Sequence, residues 1–76
     1  MSGLAIPKMK EVESSNIESV GHHADRKELH VRFKNGGHYV YAGVGSELHQ
    51  NALKADSVGK FINEHVKGKF THRKVA

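Results

Sequence analysis

The chain has 76 residues, with 12 Lys and Arg against 8 Asp and Glu, seven His and no Cys. This length allows one domain, and the lack of Cys excludes a disulfide framework and a thiolate metal site. No apolar run approaches the roughly 20 residues of a membrane span or resembles a signal peptide, so we expect a cytoplasmic protein.

The first 13 residues mix small, apolar and charged side chains without a period, which predicts a flexible N-terminal arm over 1–13. An alternative is an arm that adds a strand to a partner. The next segment, Ser14–His23, is predicted to be the first strand. Its apolar residues Ile17 and Val20 stand three apart, and a β-bulge near Ser19 would explain this spacing.

The clearest strand is Glu28–Phe33, because apolar and polar side chains alternate along it. The segment 34–37, with the sequence Lys-Asn-Gly-Gly, is typical of a β-hairpin turn because Asn and Gly accept positive φ. The returning strand is predicted over His38–Val44. Together with the first strand, this hairpin makes a three-stranded antiparallel meander.

The length of the hairpin loop decides which side chains share a face of the sheet. A two-residue turn would pair Phe33 with His38, whereas a three-residue loop with a left-handed Gly37 would pair Phe33 with Tyr39. We favour the longer loop, because it collects the apolar and aromatic side chains on one face: Leu29, Val31, Phe33, Tyr39 and Tyr41. The other face is half apolar and half basic, which suits a dimer contact or a ligand surface: His30, Arg32, His38, Val40 and Ala42.

Two helices are predicted after the sheet. Ser46 can cap a short helix over 47–55, whose inner face would hold Leu48, Ala52 and Ala55. Ser57 can cap a second helix that ends before Gly68, with the stripe Val58, Phe61, Ile62, His65 and Val66. A basic tail over 71–76 follows. The predicted fold is therefore α+β, a three-stranded antiparallel β-meander followed by a two-helix hairpin packed on one face.

Three groups of spaced residues follow a known pattern: Phe33-x-Asn35-Gly36, then Tyr39-Val40-Tyr41 with Gly43-Val44, then Ala55-x-Ser57-x-Gly59-x-Phe61-x-Asn63. Over about 14–70 the chain resembles the KTSC domain, a family named for its presence at the C-terminus of some lysyl-tRNA synthetases. The resemblance implies this fold, and the synthetase association implies an RNA partner. Small free-standing phage members imply interference with a host. The chain departs from the family at His22-His23, where Tyr-Asp is usual, and at Gly45, where Pro is usual.

The start of the second helix is the best candidate for ligand contact. Its first turn leaves backbone N–H groups without partners and carries partial positive charge. Ser57 and Gly59 leave room for a phosphate there, and Lys60 adds a full charge. The alternative is that Ser57 is only an N-cap and that Gly59 permits close packing. The segment is not a P-loop, because the Gly-x-x-x-x-Gly-Lys spacing is missing.

Arg32, with Tyr39 or Tyr41, could stack on a base of the same ligand. The alternative is that both tyrosines belong to the core. No metal site is expected, since neighbouring residues of a strand, such as His22 and His23, point to opposite faces. Neither a cofactor nor catalysis is expected, because the chain has no Cys nucleophile and no Gly-x-Ser-x-Gly elbow.

The leading hypothesis is a non-catalytic binding module, dimeric or larger, that sequesters a phosphate-bearing nucleotide ligand. Such a module could act as a phage-type sponge of a host nucleotide signal. The first alternative is an RNA- or DNA-binding accessory domain, which would use the basic face and the tail residues Lys67, Lys69, Arg73 and Lys74. The second alternative is a protein-interaction module without a nucleotide. Self-association would enlarge a core that is small by itself.

Overall fold

One antiparallel sheet and two helices make up the fold in the computed structural model, which describes residues 7–75. In chain order the elements are β1 (Lys10–Glu11), β2 (Ile17–His23), β3 (Glu28–Phe33), β4 (His38–Ala42), α1 (Ser46–Lys54), α2 (Val58–His65) and β5 (His72–Lys74). The strands lie in the sheet in the order of the chain. The α+β class is therefore confirmed, but the sheet has five strands in place of the predicted three.

The two additional strands form the edges of the sheet. β1 pairs with β2, and β5 pairs with β4. The sequence assigns these segments to the arm over 1–13 and to the basic tail over 71–76. Two or three polar residues are too few to show the alternation that predicts a strand. Residues 1–6 of the arm and residue 76 of the tail lie outside the described residues.

The predicted bulge in the first strand is confirmed. Ile17 pairs with Phe33 and Ser19 pairs with Arg32, so one extra residue lies on β2 between these two pairs. An extra residue reverses the alternation of side chains along a strand. Ile17 and Val20 are consequently both buried in the same core cluster, although they stand three residues apart.

The β3–β4 hairpin has a three-residue loop over 34–36. The Gly36 N–H donates to the Phe33 carbonyl at 2.9 Å, and Gly36, not Gly37, is the left-handed residue, with φ of 101°. The strand register pairs Val31 with Tyr39, so both predicted registers are wrong. The preferred register pairs each residue of β3 with a residue of β4 that lies two positions later than its observed partner. Because side chains alternate with a period of two, the predicted composition of each face is nevertheless correct.

The helices cover the face of the sheet that carries Leu29, Val31 and Tyr41, which we call the helix face. The opposite face carries His30 and His38, and we call it the imidazole face. The core lies between the helix face and the helices and comprises Ile17, Val20, Leu29, Val31, Tyr41, Val44, Ala52, Val58, Ile62 and Val66. At roughly 25 cal/mol per Å² of buried apolar area, this layer is the main source of stability.

The two helices begin differently. Ser57 caps α2, since its Oγ accepts a hydrogen bond from the Lys60 N–H at 3.3 Å. The predicted cap at Ser46 is wrong, because Ser46 is the first helical residue and Gly45 occupies the N-cap without a side-chain bond. Gly68 follows α2 with φ of 79°, as expected for a left-handed residue after a helix. Neither α1 nor α2, the helices of residues 7–75, is long and apolar enough to cross a membrane.

Candidate functional site

Gly59 is not open to a ligand. A Cβ atom at this position would lie 2.5 Å from Ser14 Oγ and would also clash with Asn16 Oδ1, so the segment before β2 covers the glycine. The Lys60 N–H in the same turn is already bonded to the Ser57 hydroxyl. The close-packing alternative therefore describes Gly59, and a phosphate has no access to it.

Ser57 and Lys60 instead line a surface groove of about 380 Å³ outside the first turn of α2. The groove also contains Phe61 and two acidic side chains, Asp56 and Glu64. Two carboxylates beside one ammonium group oppose a phosphate at this position. The start of α2 is thus a mixed-charge groove and not a concentrated positive site.

Arg32 and the two tyrosines lie on opposite faces of the sheet. Arg32 is exposed beside His38, its partner in the register, whereas Tyr39 and Tyr41 lie on the helix face. Tyr41 is only 2% exposed, and this burial raises the pKa of its hydroxyl above the ordinary 10.0. Arg32 therefore cannot stack on the same base as either tyrosine. The six predicted site residues do not assemble into one site.

Tyr39 belongs to a row of aromatic rings at the rim of the helix face. It packs edge to face against Phe33, with 5.6 Å between ring centroids, and its centroid lies 5.8 Å from that of His72 in β5. The His72 ring also lies 5.5 Å from Tyr41. Phe33 and Tyr39 are half-buried and His72 is exposed. The row therefore has ring surface available to a ligand.

Positive charges surround this row. The Lys67 Nζ lies 5.8 Å from the centroid of the Phe33 ring, within reach of a cation–π contact. Lys74 pairs with Tyr39 across β4 and β5, so both side chains leave the sheet on the same face. No Asp or Glu occurs in residues 65–76. We call this surface the aromatic-basic platform and define it by Phe33, Tyr39, Lys67, His72 and Lys74.

The sequence pattern identifies Tyr39 as a residue of the nucleotide site, and it names Lys67 and Lys74 only as tail residues that contact a nucleic acid. Phe33 is predicted as core, and His72 lies in a segment that is predicted to be a tail. The alternation of His72 and Lys74 around Arg73 is the signal of a strand, but it spans only three residues. Without a predicted strand in the tail, the sequence gives no reason to place these side chains beside β4.

Within residues 7–75, no three His, Asp or Glu side chains come together as metal ligands. His22 points to the helix face, where its Nε2 bonds the Val44 carbonyl at 2.6 Å and its ring stacks on His49 of α1. Burial and the nearby His22 lower the pKa of His49 below the ordinary 6.5. These imidazoles act as packing groups between the sheet and the first helix.

The fold is that of a small α+β domain whose antiparallel sheet is covered by a helical hairpin on one face. The family model of the KTSC domain matches residues 13–70, and the chain belongs to this family. The resemblance drawn from the sequence is thereby confirmed.

Two relatives and a solved structure are similar to this chain over most of its length. A protein of Tsukamurella paurometabola is 40% identical over 62 residues, which are 82% of this chain and 92% of that one. A protein of Stutzerimonas stutzeri is 36% identical over 53 residues, or 70% of this chain and 75% of its own. The crystal structure of a KTSC domain protein from Yersinia pestis superposes with a TM-score of 0.87 at 39% identity, covering 91% of this chain and 97% of that one.

Proposed function

We propose that the chain is a non-catalytic module that binds single-stranded RNA or DNA on the aromatic-basic platform. The observation that supports this proposal is the row of accessible rings at Tyr39 and His72, with Lys67 and Lys74 beside it. Proteins that hold single strands combine aromatic stacking surfaces with cations along the backbone. Each stacked base contributes roughly 1–3 kcal/mol to such binding.

The platform favours single strands over duplexes. The Tyr39 ring is half-buried and the His72 ring is exposed, so an unstacked base can contact the ring surface that they leave open. A duplex hides these base surfaces, and only the contacts of lysines with phosphates would remain. A preference for the single strand is therefore the expected signature of ring stacking.

The test is fluorescence anisotropy with a labelled 10-nucleotide RNA, the same DNA sequence and its duplex. We expect the single strands to bind more tightly than the duplex, with affinity that falls as salt rises. His72→Ala should weaken binding about 5- to 160-fold, the equivalent of one stacked base. The combined change Lys67→Ala and Lys74→Ala should remove about two phosphate contacts. The slope of log affinity against log salt should therefore become smaller by about two.

The matched controls are Lys8→Ala and Lys54→Ala, which remove two exposed lysines away from the platform. They lower the net charge by the same amount but should preserve the preference for single strands. If the control pair weakens binding as much as the platform pair, binding depends on net charge alone and the platform is not the site. Equal affinity for single strand and duplex would also contradict the proposal.

The groove at the start of α2 supports a second candidate, the sequestration of a small nucleotide. Its volume of about 380 Å³ and its half-buried Phe61 ring can accommodate one base, with Lys60 at the phosphate. Asp56 and Glu64 make this candidate electrostatically weaker. Thermal-shift measurements with nucleotides and cyclic dinucleotides test it, since a bound ligand raises Tm with its concentration. Lys60→Ala should abolish such a shift, whereas Lys54→Ala should not.

Self-association is also part of the proposal, as a dimer or larger homo-oligomer would enlarge the small core. Light scattering coupled to size-exclusion chromatography measures the mass directly, against 8.4 kDa for one chain. A protein that binds neither oligonucleotides nor nucleotides would fit the third role, a protein-interaction module.

A further inference from the structure

Two imidazoles are buried against each other on the imidazole face. His30 is 0% exposed and His38 is 2% exposed, and the His30 Nδ1 lies 3.0 Å from the His38 Nε2. A hydrogen bond between two ring nitrogens requires that one donates and the other accepts. The pair can therefore hold one bridging proton, but it cannot carry a proton on both facing nitrogens without breaking the bond.

The pair is linked to the C-terminal edge strand through a carboxylate. The other ring nitrogen of His30, Nε2, lies 3.9 Å from Glu28 Oε1, and both atoms are buried without a hydrogen-bond partner. The second oxygen of Glu28 accepts from Arg73 Nη2 at 3.4 Å. Since β4 lies between β3 and β5, the Arg73 side chain crosses β4 to reach Glu28. One polar chain thus joins β4, β3 and β5.

The surroundings of the pair disfavour additional positive charge. Burial and the charge of His38 lower the pKa of His30, with smaller effects of Arg73 and His23 in the same direction, and Glu28 alone opposes them. Burial and the neighbouring Arg32 lower the pKa of His38.

The remaining neighbour on this face is the N-terminal segment. It approaches through uncharged groups: the Met9 Sδ would lie 2.7 Å, and the Lys8 carbonyl 2.9 Å, from a Cβ on Gly21, the residue of β2 that pairs with His30. Among the carboxylates of residues 7–75, Glu28 is the one that acts on the pair. An added proton on the pair is therefore compensated by one carboxylate, which already holds Arg73.

We propose that the His30–His38 pair is an acid-sensitive clasp that holds β5 on the sheet at neutral pH and releases it in mild acid. A second contact ties the pair to this edge, because the His38 carbonyl accepts from the Val75 N–H at 2.8 Å. Protonation of both rings places a proton on each facing nitrogen, so the bond between the rings breaks and the two positive charges repel each other. The His30 imidazolium then competes with Arg73 for Glu28. β5 has only three residues, all exposed, so it belongs to the part of the fold that opens most easily.

The pKa values of the folded and unfolded rings determine how the stability of the clasp changes with pH. An unfolded imidazole takes up a proton near pH 6.5, whereas each ring of the folded pair does so only at lower pH. The clasp is therefore fully effective above pH 6.5 and is lost as the pH falls from 6.5 through the lowered pKa values. The clasp does not depend on the proposed nucleic-acid binding.

Amide hydrogen exchange of the full chain, followed by NMR at pH 7.5 and pH 5.0, tests the proposal. Two amides report on the β4–β5 edge, Val75, which donates to His38, and Ala42, which donates to the Thr71 carbonyl at 2.8 Å. Phe33, which donates to the Gly37 carbonyl, reports on β3–β4. After correction for intrinsic rates, we expect protection at Val75 and Ala42 to fall at least tenfold in acid, and protection at Phe33 to change less than threefold.

His38→Gln is the decisive variant, because an amide can still donate to His30 Nδ1 but does not titrate. It should remove most of the pH dependence at Val75, while His65→Gln, which removes an exposed histidine of α2, should keep it. The same pH dependence in His38→Gln as in the unmodified chain would overturn the clasp. Equal loss of protection at all three amides would overturn the local release of β5.

A measurement on the unmodified chain covers the case in which His38→Gln does not fold. The ¹⁵N shifts of the imidazoles report the protonation of each ring nitrogen between pH 7.5 and pH 5.0. We expect proton uptake by His30 and His38 to lag behind that of an unfolded imidazole with the ordinary pKa of 6.5. Full titration of both rings near pH 6.5, with β5 protection unchanged, would contradict the proposal.

Discussion

The two faces of the sheet bury side chains by different physical means. On the helix face, aliphatic side chains from β2, β3, α1 and α2 pack together, and stability follows from apolar area removed from water. On the imidazole face, the buried set includes His30, His38 and Val40, and the neighbouring charges of Glu28 and Arg73 lie across it. Because two of its buried side chains are imidazoles in contact with each other, we expect the imidazole face to be the more pH-sensitive of the two.

The largest expected effect is a difference in the free energy of unfolding between matched substitutions on the two faces. Val31 and Val40 are both 0% exposed, but Val31 lies on the helix face and Val40 on the imidazole face. Val31→Ala should lower the free energy of unfolding by about 2–3 kcal/mol, since packed aliphatic neighbours leave a cavity. Val40→Ala should cost only about 1.5 kcal/mol, because the long Arg73 side chain beside it can follow the lost methyl groups. Equal losses in urea denaturation would contradict this distinction.

Gly59→Ala should have the next largest effect and tests how tightly the segment before β2 closes on α2. The new methyl group would meet Ser14 and Asn16, so we expect a loss of about 1–3 kcal/mol despite the better helix propensity of Ala. Lys60→Ala, at the exposed position next to it, should change stability by less than about 0.5 kcal/mol. A stabilised Gly59→Ala protein would mean that the segment moves away freely.

The pH dependence of global stability tests the contribution of each face. His30, His38 and His49 have pKa values below 6.5, chiefly because burial disfavours the charged ring. The free energy of unfolding should be nearly constant above pH 7 and fall below pH 6.5, by up to about 1.4 kcal/mol per pH unit for each ring that stays neutral in the fold.

Single variants show which histidine produces the change of unfolding free energy with pH. His38→Gln should reduce the slope from the imidazole face, and His49→Gln should reduce the smaller contribution of the half-buried imidazole of α1. Urea denaturation at pH 7.5, 6.0 and 5.0 measures both. If His49→Gln removes more of the slope than His38→Gln, the helix face is the more pH-sensitive one and the comparison is reversed.

The smallest expected effect is the difference in stability between variants at the starts of the two helices. Ser57→Ala removes the bond to the Lys60 N–H and should cost about 1 kcal/mol. Ser46→Ala should be close to neutral, because Ser46 makes no capping bond and Ala is a good helix former. Thermal denaturation of the two variants measures the difference. A larger loss for Ser46→Ala would show that α1 depends on this hydroxyl.

The sequence pattern predicts most of the core and the order of the main elements correctly, but His65 of the predicted α2 stripe is exposed. The alternation in Glu28–Phe33, the stripe of α2 and the bulge near Ser19 are local features, and each is visible within a few residues. The register of the β3–β4 hairpin was not predicted, because Lys-Asn-Gly-Gly permits its left-handed residue at Gly36 or at Gly37. Which glycine turns depends on the pairing of both strands, and that is a tertiary property.

The candidate site shows the same division. Helix periodicity could place Ser57 at a cap, but it could not show that Ser14 and Asn16 cover Gly59 from the other end of the chain. The alternation of side chains along β3 and β4 could place Arg32 and Tyr39 on opposite faces. It could not place His72 beside Tyr39, because both helices lie between β4 and β5 in the sequence.

By itself, the sequence determined the α+β class, the family and the side chains that share each face. These depend on periodicity, and periodicity is a property of neighbouring residues. Only the tertiary structure decided the edge strands, the cover over Gly59, the aromatic-basic platform and the contact between His30 and His38. Each of these depends on contacts between segments that are distant in the chain. The free energy of such contacts cannot be inferred from a local sequence pattern.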